Sequence, residues 1–294
     1  MNLSLKPKAQ DSINVVHATH LIQDVAEVVN FLKDLGFEIL ELIKVSDGGN
    51  THCYHIPLNG SYISMEARYN LDIQESVGSA LTGFGLGTKD IESTQGRLTL
   101  HGFHPLAIEK RKLLFPVAEK EQREIECKVF KLKKSDLFEG EVEFIDVSTS
   151  TKYNAKSLHN NALSHFHAII LYSNKPEATI ARYCWLTNQS SPRRILSSSW
   201  QVELGQQKII VFSEEDVERI VPNINVKNVP SILGYALLTE SLSKTNECFF
   251  DKKLLLKSFN RGSFLAELPD FIGGNFIIGT SAAEFPWSGD FNKN

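Results

Sequence analysis

One stretch of this chain returns after 66 residues. Laying KDIESTQGRLTLHGF (89–103) under QDVAEVVNFLKDLGF (23–37) puts Asp90 under Asp24, Ile91 under Val25 and Leu98 under Leu32. Gly102 falls under Gly36 and Phe103 under Phe37, without a gap. A fixed spacing of this kind implies a duplicated supersecondary unit. Its first copy opens with a strand, Ile13 to Ile22, rich in β-branched residues. Asp24 is a helix N-cap, Val25, Val28, Val29 and Leu32 follow at helical spacing, and Gly36 is the stop. Strands at Phe37 to Val45, Thr51 to Leu58 and Ser61 to Tyr69 follow. The turn cluster SDGGN (46–50) and the Asn59-Gly60 hairpin turn separate them. The unit is βαβββ.

The second copy begins near Leu81. Residues 104–127, rich in Lys, Arg and Glu, read as a loop with solvated strand edges. Lys128 to Lys134 and Gly140 to Val147 read as closing strands. The polar run 148–161 (STSTKYNAKSLHNN) reads as a linker. The pattern then restarts, with a strand at Leu163 to Tyr172, a helix at Pro176 to Thr187, and strands at Ser197 to Glu203 and Gln207 to Phe212. A fourth unit opens at Leu233 to Thr239, has a short helix, and closes with Lys253 to Phe259, Ser263 to Leu268 and Asn275 to Gly279. The tail from Ser281 is polar apart from Phe285, Trp287 and Phe291. The expected class is α+β, in two domains at 12–147 and 162–282.

Alternation assigns faces. On the first strand Val16, Ala18, His20 and Ile22 should pack under a helix, leaving Val15, His17, Thr19 and Leu21 to line a cleft. On the fourth strand Ile63, Met65 and Ala67 are apolar, opposite Tyr62, Ser64, Glu66 and Arg68. Gly83, Gly85 and Gly87 strip one face of a strand of side chains. That pattern marks either close approach of a ligand or backbone, or plain sheet curvature.

The 294 residues carry a net charge of −4 and are 42% hydrophobic, ordinary for a globular protein. An acidic balance counts against nucleic acid and anionic membranes as partners. No run approaches the roughly 18–20 apolar residues of a membrane span, and no signal-peptide core opens the chain. The expected location is therefore cytoplasmic. The four cysteines are far apart, with no CxxC pair, which argues against disulfides and structural zinc. P-loop, GxGxxG, GxSxG and HExxH motifs are absent, and GFGLG (83–87) lacks dinucleotide spacing.

VHATHLIQDVAEVVNFL, GGNTHCYHIPLNGSYISME, LGTKDIES, FIDV and HNNA together resemble glyoxalase-like domain proteins of the vicinal oxygen chelate superfamily. The resemblance runs over most of the chain and implies two tandem domains, each closing paired βαβββ modules around a cleft. It also implies a divalent metal held by His, Glu or Gln on the first and last strands of the modules. His17 sits at the first-strand position. Ser64 stands where the family's glutamate is usual, with Glu66 two residues on. Gly83 takes the second first-strand position, and the closing strand offers Asp146.

The candidate metal ligands are thus His17, Glu66 and Asp146, for Zn, Fe, Mn or Ni. Glu66 is also the candidate catalytic carboxylate for lyase, isomerase or dioxygenase chemistry. His52, Tyr62, His159 and Asn160 are candidate substrate contacts. Blander alternatives stand beside each: a turn histidine at His52, an ion pair with Arg68 or Lys44 at Glu66, a buried ion pair at Asp146, and a plain linker at His159-Asn160. The expected partner is a small organic molecule, with a homodimer as a candidate assembly. The competing function is a metal-free ligand-binding or drug-sequestering protein of the same fold.

Overall fold

The computed structural model describes residues 12–46, 49–67, 80–118, 121–147, 159–189, 191–220, 231–250, 252 and 254–288. The tip of the SDGGN turn, Arg68, most of the linker and Phe291 lie outside these.

The first module runs β1 (Ser12–Ile22), α1 (Val25–Asp34), β2 (Leu40–Ser46), β3 (Gly49–Leu58) and β4 (Ser61–Ala67). The second runs β5 (Ala80–Thr88), α2 (Ile91–Leu100), β6 (Glu109–Ala118), β7 (Glu121–Lys131) and β8 (Glu141–Asp146). The repeat has a physical counterpart. The Asp24 side chain accepts from Glu27 N and that of Asp90 from Ser93 N, both at 2.9 Å, satisfying free N–H groups of the first helical turn. Gly36 (φ +81°) and Gly102 (φ +83°) close the two helices in the left-handed region.

The second half repeats the order with β9 (Leu163–Tyr172), α3 (Pro176–Thr187), β10 (Arg193–Arg194), β11 (Trp200–Leu204), β12 (Gln207–Phe212) and α4 (Glu214–Ile220). It ends with β13 (Ser231–Thr239), α5 (Leu242–Phe250), β14 (Leu255–Ser258), β15 (Phe264–Glu267) and β16 (Asn275–Gly279). Hydroxyl pairs six residues apart join strand end to first helical turn in three modules: Thr88 with Thr94 (2.7 Å), Ser173 with Thr179 (2.8 Å) and Thr239 with Thr245 (2.7 Å). In the first module the same positions are the buried Ile22 and Val28.

The strands of the first half form a closed barrel, β1-β4-β3-β2-β6-β7-β8-β5. The second half has the equivalent order in an open sheet, β10-β11-β12-β9-β13-β16-β15-β14. Closure comes from β2 and β6, which pair at Ile43–Leu114, Lys44–Leu113 and Val45–Lys112. Their counterparts β10 and β14 have two and four residues and stay apart as edges. The segment expected to be a loop with solvated strand edges at 104–127 is mostly two long strands. Apart from the inward Arg111, the charges of Lys110, Lys112, Glu124 and Glu126 sit on the outward face, a pattern that reads as polar throughout.

One apolar core runs through both halves, from Val15, Ala18, Phe37 and Phe84 to Tyr183, Tyr235, Phe249 and Phe276. Polar ties cross it. Neutral His20 is fully buried, with Nε2 3.1 Å from the Tyr235 hydroxyl and Nδ1 3.2 Å from the Ile272 carbonyl. Nδ1–H must donate to that carbonyl, so Nε2 accepts from Tyr235. The short α4 and the full length of β6 and β7 were not foreseen, whereas β9, α3, β12 and β16 stand where the pattern put them. No helix among the described residues is long and apolar enough to cross a membrane.

Candidate functional site

β1 does not alternate cleanly. A register shift against β5 between Val15 and His17 marks a bulge, which turns two successive residues toward the barrel interior. Val16 therefore joins Cys127, Val129 and Ile145 inside the barrel, while Val15 takes the place in the core expected for Val16. His17 stays inward, as the alternation required.

The His17 ring lies in a slot. It stacks on Tyr62 of β4, centroids 4.9 Å apart and planes at 20°, and Tyr62 stacks in turn with His55 of β3 at 4.1 Å and 19°. The facing residue on β5 is Gly85, where any Cβ would overlap the imidazole. Gly87 leaves the same kind of room for the Asn14 side chain and Val147. Gly85 and Gly87 thus accommodate this protein's own side chains, a third reading beside the two open in the sequence, whereas Gly83 lets the Glu141 backbone approach.

His17 Nε2 lies 3.3 Å from Glu143 Oε1 on β8. Arg111 of β6 grips the same carboxylate with a two-pronged fork, Nη1 to Oε1 at 2.9 Å and Nη2 to Oε2 at 3.0 Å. Nη2 also reaches Glu109 at 3.0 Å. Both partners of the fork are buried. Burial alone would raise the Glu143 pKa, but the Arg111 guanidinium beside it holds the carboxyl far below the usual range. Burial pushes His17 down to about 4, against the pull of Glu143, so the ring is neutral at pH 7. With Glu143 ionised, Nε2 carries the proton. Nδ1 is buried against Gly85 without a hydrogen-bond partner. His55 is also held well below its ordinary pKa, by burial and then by His17 and Lys44.

These groups line a cavity of about 370 Å³ inside the barrel. Its apolar wall is Val16, Leu113, Ile125, Val129, Ile145 and Val147, and its floor includes the buried Ser61, whose hydroxyl has no partner. Lys44 and Glu66, paired at 2.6 Å, and Glu143 border both this cavity and a second, more polar chamber of about 220 Å³. Thr19, Thr82, Lys131 and Glu141 help line that chamber.

The barrel therefore brings together His17, Tyr62 and Glu66 of the residues singled out from sequence. Asp146 shares the outward, core-packed side of β8 with Val142 and Phe144 and does not line either chamber. His52 lies at the exposed outer surface of β3, 3.9 Å from Glu41. His159 is a tie: Nδ1 accepts from Glu38 N at 2.9 Å, leaving Nε2–H to donate to the Pro57 carbonyl at 2.7 Å. Asn160 is an exposed turn residue. Sequence reasoning missed Arg111, Glu143 and the role of His55. The signal for Glu143 was present: if Val142 and Phe144 pack the core, Glu143 faces the cleft. Arg111 was hidden in a Lys/Arg run that read as surface.

A metal held on the pattern expected for this fold would need donors at the inward positions of β1, β4, β5 and β8. On those faces stand His17, Ser64 with Glu66, Gly83 with Gly85, and Glu143; Glu66 is already paired with Lys44 and Glu143 is already forked by Arg111. Among the described residues no three His, Cys, Asp or Glu gather as a metal-binding group. The donor set does not fit a divalent ion.

No family model and no curated protein matches the sequence. Solved structures do match the fold. A hypothetical protein from Staphylococcus aureus aligns at 10% identity with a TM-score of 0.60, over 90% of this chain and 98% of its own. A variant of 4-hydroxymandelate synthase from Streptomyces coelicolor aligns at 11% and 0.55, over 91% and 92%. A Mn(II)-bound glyoxalase from Novosphingobium aromaticivorans aligns at 10% and 0.58, over 92% and 82%. The chain has the vicinal oxygen chelate fold of these proteins.

Proposed function

We propose that this vicinal-oxygen-chelate-fold protein binds a small organic molecule in the barrel of its first half without a metal ion. The observation that carries the reading is the Arg111–Glu143 fork. A guanidinium supplies the positive charge that neutralises the buried carboxylate, at the level of the barrel where His17 and Gly85 face each other. The ligand is a molecule with a largely apolar body, suited to the Val/Leu/Ile wall. It has a hydrogen-bonding group for Ser61 and a polar end near the Lys44–Glu66 pair. Glu66 then serves as a polar contact held by Lys44.

A metal-assisted lyase, isomerase or dioxygenase is the competing reading. Likeness to the Mn(II)-bound glyoxalase and the 4-hydroxymandelate synthase favours it, and the donor set opposes it.

The test is equilibrium binding of an anilinonaphthalene sulfonate dye, with and without a chelator. The expected result is saturable binding indifferent to the chelator and lost in Val129→Trp, which fills the cavity from its apolar wall. Binding that needs added Mn²⁺, or that survives Val129→Trp unchanged, overturns the proposal.

A further inference from the structure

The second sheet has the barrel's strand order, and its first strand carries a counterpart of His17. FHAIILY (166–172) stands to β9 as VHATHLI (16–22) stands to β1, which makes His167 the match of His17. The concave face is apolar, formed by Ile170, Ile210, Phe212, Leu233 and Ile277 from four strands. In the barrel the corresponding space is a cavity. Here the chain's own C-terminal segment fills it. His167 stacks on Phe285 at 5.0 Å and 16°, and Phe285 stacks on Trp287 at 5.0 Å and 5°. Trp287 also meets Phe212 at 5.7 Å.

This filling matches in shape but not in chemistry. His167 is buried with no partner for Nε2, and the buried Trp287 Nε1–H has none either. Buried polar groups are usually paired, and an unpaired one asks for a missing partner. Hydrogen bonds hold the segment to the sheet at one end: Ser263 Oγ donates to Glu284 O (2.7 Å), and Thr280 N to the Glu284 carboxylate (2.7 Å). Past that anchor, among the described residues, Ser288 bonds only within the segment, to Ala283 O and Phe285 O.

We propose that the concave face of the second sheet is a binding site for a planar aromatic molecule with one polar edge. Residues 281–288 are its resident surrogate, and the polar edge of an incoming ring bonds His167 Nε2. This site is independent of the barrel and of the reading given for it.

Indole is the probe, used with the full chain. Trp287→Ala is expected to bind indole saturably and to gain melting temperature from it. Wild type binds about 100-fold more weakly if the segment is out in roughly one molecule in a hundred. In wild type, saturating indole speeds hydrogen exchange across 281–288. Adding His167→Phe to Trp287→Ala weakens indole but not naphthalene, which has no N–H. The proposal is overturned if folded Trp287→Ala binds no indole, or if His167→Phe affects both probes alike. Should Trp287→Ala not fold, Trp287→Leu replaces it, and wild-type exchange across 281–288 that indole leaves unchanged overturns the proposal by itself.

Discussion

At the scale of single residues, the site turns on one buried ion pair. Removing one member of such a pair costs about 3–5 kcal/mol, because the other charge is stranded, whereas replacing both with apolar groups is often neutral. Arg111→Leu is therefore expected to lose about that much, and Arg111→Leu with Glu143→Leu to recover most of it, as read by urea unfolding. The pH dependence has a definite sign. In the wild type the Glu143 pKa lies far below its unfolded value of about 4.3. Its contribution is complete above that value and fades as pH falls below it. In Arg111→Leu burial dominates and raises the pKa, so the variant's deficit should shrink between pH 7 and pH 5. A deficit that is constant or grows over that interval contradicts the assignment. Of this pair the sequence announced neither partner. Glu143 was legible by alternation with Val142 and Phe144. Arg111 was not, because a single inward arginine in a Lys/Arg/Glu strand looks like its outward neighbours.

At the scale of elements, the fit of β1 against β5 decides where His17 can stand. Gly85→Ala places a methyl into a buried imidazole, an overpacking that costs about 1–3 kcal/mol. His17→Ala makes room, so the double variant should be more stable than the sum of the two single losses. Additive melting temperatures would show that the ring does not depend on the glycine. The elements themselves were largely readable. Asp24 and Asp90, Gly36 and Gly102 announced both helices, because caps act locally and leave their mark in adjacent residues. The bulge at Val15–His17 left no such mark. It is set by pairing with β5, more than 60 residues away, and it swaps Val15 with Val16. The tail aromatics Phe285 and Trp287 were visible as residues, but the surface that buries them is assembled from four distant strands.

At the scale of the whole molecule, the two halves share one core, with Phe84 stacked on Tyr183 and Phe37 against Phe249 and Phe276. Calorimetry should therefore record one cooperative transition, and Phe276→Ala should lower it as a unit. Two resolved transitions would contradict a common core. Burial lowers His17, His20 and His167 each to about 4 from an ordinary 6.5. The unfolded chain takes up their protons first, so stability should fall as pH drops from 6.5 toward 4. His20→Gln, which removes one of these groups between the halves, should flatten that slope. All of this rests on a barrel that manages its buried charge with an arginine. The direct test is the metal content of untagged protein, as isolated and after titration with Mn²⁺ and Zn²⁺, for wild type and His17→Ala. The account predicts no stoichiometric divalent ion in either protein. One ion per chain in wild type that disappears in His17→Ala would contradict it.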